Sequence, residues 1–238
     1  MADTQFKDVP LSGLSSKEYA KRRAALIDLN KSADGVTFDD PWKFENHQTT
    51  HFSIADAAGN CVAITKTINY YFGSGVMVGG YGFMMNNQMD DFSSNPSSVN
   101  CVEPGKKPLS SMTPTIVLKN GKPYMVLGTP GGARIFASVA QVFSRVVDHK
   151  MDIHDAICVP KIWNTSSNDS ISYEVPLKGY EQYALTEATL SALVAMGHKP
   201  PTIAASGAVQ AIVFMDDGTL KGTADPRQDG KAVGYSKR

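Results

Sequence analysis

Three turn signatures constrain this chain more than anything else in it. Asn120-Gly121 sits between Thr115-Ile116-Val117-Leu118 and Tyr124-Met125-Val126-Leu127. Asp217-Gly218 sits between Val209 to Phe214 and Leu220 to Thr223. Ala58-Gly59-Asn60 joins a stretch in which Thr50, Phe52 and Ile54 alternate with His51, Ser53 and Ala55 to Val62-Ala63-Ile64-Thr65. Asn, Asp and Gly accept the positive φ that a tight hairpin turn demands, and period-two alternation on either side reads as strand. Helical spacing predicts further elements at 15–30, 133–147, 153–159 and 180–196, the last ending at Gly197. Paired strands with long helices between the pairs predict an α+β fold, an antiparallel sheet covered by helices.

Residues 1–48 differ from the rest. Ser15 or Ser16 can cap the first helix, along which Tyr19, Arg23, Leu26 and Ile27 recur. Lys31 to Gln48 follows without period, rich in Asp and other polar residues with one Gly and one Pro, and reads as an exposed segment suited to a processing site at its end. The remainder, 49–238, carries all the hairpins. Met1 to Pro10 is polar and carries Asp3, Lys7 and Asp8, unlike a signal peptide.

Charge and cysteine content narrow the function classes. Lys plus Arg and Asp plus Glu each number 23, so the formal charge is zero and nothing favours nucleic acid or an anionic membrane as partner. No apolar run approaches the roughly 20 residues that span a bilayer. Three cysteines, Cys61, Cys101 and Cys158, cannot form a fully paired framework and lack metal-type spacing, so they read as free, partly buried thiols. His47 and His51 have no Cys or carboxylate nearby to complete a metal site, and read as surface histidines. No metal or cofactor is called for.

Several residues can carry chemistry, and each also has a plainer reading. Thr49 is either a β-branched residue opening a strand or a hydroxyl nucleophile. A hydroxyl needs a base, and no His-Asp partner is evident from spacing. A freed α-amino group on the same residue, with a reference pKa of about 7.7–8.0, would serve. Before cleavage, the same hydroxyl can attack the Gln48 carbonyl and release its own amine. Gly131-Gly132, between a strand and a helix, is either simple turn chemistry or a pair of exposed N–H groups able to hold an oxyanion. Ser110 and Ser111 belong to a polar loop or bind a carboxylate. Asn69, Gln88 and Asp91 form turn structure or a polar cradle, with the carboxylate facing an ammonium group.

Taken together, these pieces resemble a known family. Thr49-Thr50-His51-Phe52-Ser53-Ile54-Ala55-Asp56, Gly59-Asn60, Thr67-Ile68-Asn69, Phe72-Gly73-Ser74-Gly75, Asn86 to Phe92, Pro108 to Thr115 and Thr129 to Gly132 resemble, in order, the small subunit of γ-glutamyltranspeptidases. Ala224-Asp225-Pro226-Arg227 and Gly234-Tyr235 resemble its carboxyl end, and Phe6 to Asn30 the tail of the large subunit. The resemblance implies the C-terminal half of an N-terminal nucleophile (Ntn) hydrolase, an αββα four-layer sandwich. Residues 1–48 become a large-subunit tail and processing linker, and 49–238 the catalytic domain.

It also implies self-cleavage between Gln48 and Thr49, after which Thr49 takes a γ-glutamyl group from glutathione or a related donor and passes it to water or an amine. Thr67 would support the nucleophile. Asn69, Gln88 and Asp91 would hold the donor's α-amino and α-carboxylate end, Ser110 and Ser111 its carboxylate, and Gly131 and Gly132 the oxyanion. A large-subunit polypeptide is the expected partner. In the family that subunit supplies an arginine to the substrate carboxylate, a charge-assisted contact of about 1.5–3 kcal/mol, and Arg22 and Arg23 do not match its motif. Without that subunit, sheet surface that is normally covered stands exposed. The short loop from Phe92 to Lys107 implies an open pocket, suited to larger donors and to hydrolysis. Family members are exported, which implies an extracellular or periplasmic site. Two other readings stand beside this one: an inactive fragment or assembly subunit, and a depolymerase or acylase for γ-linked polymers or β-lactam side chains.

Overall fold

The computed structural model describes residues 3, 5–7, 16–25, 30–31, 47–164 and 170–235. The expected exposed segment at 31–48 lies almost wholly outside them. Helix α1 (Lys17–Ala24) begins where Ser16 accepts the Tyr19 N–H at 3.0 Å, so Ser16 is its cap. Leu26 and Ile27 of the expected helix are not among the described residues.

Strands β1 (His47–Ala55) and β2 (Cys61–Tyr70) form the first hairpin. Asp56 draws its turn tight by accepting the N–H groups of Ala58 at 3.0 Å and Asn60 at 2.9 Å. A second, four-stranded antiparallel sheet runs in the order β3 (Thr115–Lys119), β4 (Lys122–Gly128), β8 (Gln210–Phe214), β9 (Leu220–Ala224). At its β3–β4 turn both Asn120 and Gly121 have positive φ, 53° and 76°, as their sequence demands. The β1–β2 hairpin stacks on one face of this sheet.

Helices α2 (Ile135–Val147) and α3 (Ile153–Cys158) cover the other face. Val139, Val142 and Val146 of α2 meet Met125 and Leu127 of β4 and Ala211 and Val213 of β8, with Ile153, Ala156 and Ile157 closing the core. The i, i+3, i+7 spacing on the helix and the period of two on the strands put these residues on facing surfaces.

Two expectations are corrected here. The helix expected at 180–196 is broken. Glu181–Tyr183 forms a 3₁₀ turn, and the chain restarts as α4 (Glu187–Ala195) because the Thr186 side chain caps it by accepting the Thr189 N–H at 3.1 Å. Its end before Gly197, which has φ 102°, is as expected. The expectation of antiparallel pairing holds for the four-stranded sheet and the first hairpin but not throughout. A third, small sheet joins β5 (Ile162–Asn164), β6 (Ser170–Tyr173) and β7 (Lys199–Ile203), and β6 pairs with β7 in parallel. Pro200 and Pro201 lie within β7, which the sheet tolerates because β7 is an edge strand. All three cysteines are free thiols, with Cys158 buried and the other two half-buried.

Candidate active site

Where β1 opens, Thr49 pairs with Thr67 on β2, and the Thr49 hydroxyl donates to Thr67 Oγ1 at 3.2 Å. Two residues on, near the end of β2, the backbone turns left-handed at Asn69, φ 76°. Asparagine tolerates that conformation better than most side chains. The kink folds the Asn69 N–H back onto Thr67 Oγ1 at 2.9 Å, so the second threonine hydroxyl is held from both sides.

The chain then makes an excursion over 71–87 and returns to the same place. Asn87 closes its base: the Asn87 N–H donates to Ile68 O at 3.2 Å, the Tyr70 N–H to Asn87 Oδ1 at 3.1 Å, and Asn69 Nδ2 to Asn87 O at 3.3 Å. The next residues form a 3₁₀ turn, Gln88–Asp91, in which the Gln88 carboxamide donates to the Asp91 carboxylate. Asn100, buried, anchors this turn to the next segment. Its Nδ2 donates to Asp91 O at 2.7 Å while its Oδ1 accepts the Leu109 N–H at 3.0 Å.

Leu109 leads into Ser110 and Ser111. Ser110 Oγ accepts the Met112 N–H at 3.2 Å, and Ser111 Oγ donates to Gly132 O at 2.9 Å. The last bond joins the serine segment to the turn between β4 and α2. There Gly131 and Gly132 take φ 140° and 58°, values only glycine adopts at little cost, and a Cβ on Gly131 would lie 2.3 Å from Ser206 O. Gly132–Arg134 is a 3₁₀ turn opening the 13-residue α2. The amino end of such a helix presents unpaired N–H groups and a partial positive charge.

The result is one concave site lined by Thr49, Thr67, Asn69, Gln88, Asp91, Ser110, Ser111 and Gly132, with Leu109, Met112 and Ile135 as its apolar wall. Gly131 is adjacent to it in the same turn. The side chain of Gln48 lies outside the described residues, although its backbone is in β1. Asn100, Leu109, Met112 and Ile135 carry no expected role: Leu109 and Met112 fall inside Pro108 to Thr115, Asn100 inside the loop from Phe92 to Lys107, and Ile135 inside the helix expected at 133–147. Nothing in the local sequence distinguishes a structural asparagine from a loop asparagine, and the apolar three look like ordinary core.

His51 corrects an expectation. It is buried, not on the surface. Its ring occupies the space beside Gly128, where a Cβ would approach to 2.3 Å, and its nitrogens lie 2.8 Å from Thr65 Oγ1 and 3.1 Å from Ser53 Oγ. Burial lowers its pKa from the usual 6.5 to about 4, so it is neutral at pH 7. The side chain of His47 is outside the described residues. No helix among those residues is long and apolar enough to cross a membrane.

The family profile "Gamma-glutamyltranspeptidase" matches residues 1–235. The chain is 39% identical over 252 residues to the glutathione hydrolase proenzyme of Bacillus subtilis (strain 168), covering 98% of this chain and 41% of that protein. It is 37% identical over 241 residues to the acylase ACY 1 proenzyme of Pseudomonas sp. (strain SE83), covering 99% of this chain and 40% of that protein. Among solved structures, a γ-glutamyltranspeptidase from Pseudomonas nitroreducens complexed with L-DON superposes with a TM-score of 0.67 at 40% identity, over 79% of this chain and 100% of the other. The chain thus spans about two fifths of the length of the curated relatives it matches.

Proposed function

Because the chain belongs to the γ-glutamyltranspeptidase family and has the α+β fold of the Ntn hydrolases, we propose that it is the nucleophile-bearing part of a γ-glutamyl hydrolase or transferase. Residues 1–48 are its large-subunit tail and processing linker, and 49–238 its catalytic domain. Cleavage between Gln48 and Thr49 frees the amine of Thr49. That amine takes the proton of the Thr49 hydroxyl, whose oxygen attacks the γ-carbonyl of glutathione or a similar donor. The amine leaving group departs with a proton, and an ester of Thr49 remains. Water or an acceptor amine then releases the γ-glutamyl group.

The observation that carries this reading is the pair of threonine hydroxyls, 3.2 Å apart, facing one cleft with a carboxylate, two serines and a glycine turn. Asp91 is the counter-ion for the donor's ammonium. Gln88, held against Asp91, and Asn69 complete that end. Ser110 and Ser111 receive the α-carboxylate. Gly131 and Gly132 at the head of α2 receive the oxyanion, where fixed dipoles act without reorganisation.

A larger companion polypeptide belongs to the active assembly. The relatives are proenzymes of which this chain covers 41%. In addition, Phe52, Ile54, Val62 and Ile64 stand 43%, 55%, 41% and 40% exposed on the outer face of the β1–β2 hairpin. A sheet face of this kind wants a cover.

Mass spectrometry and turnover of a chromogenic γ-glutamyl anilide test the proposal together. A chain beginning at Thr49 is expected, with activity that falls a thousandfold or more, roughly, in Thr49→Ala. An intact chain that never turns over the anilide, even beside a companion polypeptide, would point to an inactive assembly subunit.

A second reading keeps the nucleophile and changes the acyl group to a γ-linked polymer or a β-lactam side chain. The 37% identity to an acylase proenzyme favours carrying it. It predicts poor use of glutathione beside good use of the longer or bulkier donor, and equal preference for small donors removes it.

A further inference from the structure

The glycine turn at the head of α2 is held by a second backbone segment, 204–207, that the chemistry above does not use. The two segments touch without room for side chains. A Cβ on Gly131 would lie 2.3 Å from Ser206 O, and one on Gly207 would lie 2.1 Å from Pro130 O. Arg134 clasps both, its Nη1 donating to Ala205 O at 2.8 Å and its Nε to Gly131 O at 3.3 Å. A shift of Ser206 toward the turn therefore presses on Gly131.

Ser206 is fixed in turn by Glu174. One carboxylate oxygen, Oε1, accepts both the Ser206 hydroxyl at 2.5 Å and the Ser206 N–H at 3.1 Å. The other, Oε2, accepts the Lys161 N–H at 3.0 Å and lies 3.0 Å from Lys161 Nζ and 3.4 Å from Arg227 Nη2. Lys161 also reaches Asp225 at 3.2 Å, and Arg227 reaches it at 3.1 Å. Two cations and two anions therefore sit together, with Lys161, Glu174 and Asp225 buried. Burial alone would raise the Glu174 pKa, but Lys161, the Ser206 hydroxyl and Arg227 more than offset it and hold the carboxyl below its ordinary range.

Buried ion clusters are a poor way to gain stability, because desolvation cancels most of the attraction. What this one supplies is direction: a carboxylate that cannot rotate, aimed at one serine. We infer that Glu174, acting through Ser206, is a positioning residue that sets the Gly131–Gly132 turn for the developing oxyanion. The inference rests on the proposed role of that turn. An oxyanion donor works only when aimed at the position the charged oxygen will occupy, so a small tilt weakens the transition state and leaves substrate binding alone.

Ser206→Ala is the test. It removes the hydroxyl but keeps the backbone bond and all four charges, so it folds where Glu174→Gln, which unbalances the cluster, is at risk. In the active assembly, with sites counted by the burst of the first turnover, kcat should fall about tenfold while the donor KM stays within about twofold. A merely structural serine would lower the melting temperature and leave kcat per active site unchanged. A second readout needs no turnover. In the full chain labelled with ¹⁵N-glycine, Ser206→Ala should move the Gly131 and Gly132 amides and speed their hydrogen exchange, while the turn amides of Gly121 and Gly218 stay in place. Thr49→Ala runs beside these. If it keeps its activity, the functional reading falls and takes this inference with it. If it is inactive while Ser206→Ala keeps wild-type kcat and unmoved Gly131 and Gly132 amides, this inference alone is overturned.

Discussion

The two faces of the central sheet are covered in opposite ways. On the helical face, Met125, Leu127 and Ala211 meet Val139 and Val142, and all are shut off from water. On the other face, the β1–β2 hairpin turns its small and polar side inward, His51 with Ser53 and Thr65, and its large apolar side outward, Phe52 and Ile54 with Val62 and Ile64. An ordinary two-layer sheet does the reverse. The inverted hairpin fits the companion polypeptide proposed above, which would cover these four apolar side chains. It also explains how the site is built: polar side chains between the two sheets give Thr49 and Thr67 a place to meet.

The difference predicts where substitution hurts. Leu127→Ala, in the helix-covered face, should cost about 2–5 kcal/mol by transfer and cavity terms, read from urea unfolding of the chain. Ile54→Ala, on the outer face, should cost no more than about 0.5 kcal/mol. Equal losses at the two sites would mean that the hairpin is covered after all.

Gly128→Ala probes the seam between the layers. Its Cβ would meet the His51 ring at 2.3 Å, and the ring is held by two hydroxyls. A loss of up to about 3 kcal/mol is expected, as for other overpacked interiors. His51→Ser should recover part of it, and additive losses would show that the ring is not the obstacle.

Protonation of His51 sharpens the same seam. Its folded pKa of about 4 lies below the usual 6.5, so the unfolded chain binds the extra proton first. Stability is therefore full above pH 6.5 and falls as pH drops toward 4. Between pH 7 and 5 the loss from this group should be about 2 kcal/mol. It should vanish in His51→Gln, while an unchanged pH slope in that variant would assign the effect elsewhere.

How much of this was legible depended on how local the cause was. The positive φ at Asn120-Gly121, the Ser16 cap and the Gly197 stop each have their cause within a few residues, and each was readable. The split at Thr186 was not, because the residues on both sides favour helix and one hydroxyl decides the break. Strand β7 was hidden by Pro200-Pro201, which argue against a strand unless its edge position is known. The site residues meet across separations such as 49 to 67 and 111 to 132. No periodicity reports those separations; the family resemblance supplied the set. His51 and Glu174 were misjudged or passed over because polar residues in a sequence look like surface, and only the fold shows the partners that let them be buried.

The smallest effect on stability is also the one that separates the faces most cleanly. Ile54→Lys places a charge on the outer face of the hairpin, where the long side chain reaches water, so the unfolding midpoint of the chain should hardly move. Association should move a good deal. Four apolar side chains on one open face invite a second surface. Sedimentation of the chain alone should show concentration-dependent self-association that weakens in Ile54→Lys, and assembly with a companion polypeptide should weaken with it. A substitution on the exposed side of another hairpin, Leu118→Lys on β3, is the control. If it disrupts association as much as Ile54→Lys does, the attraction is general stickiness, and the β1–β2 face loses its claim to be a missing layer's seat.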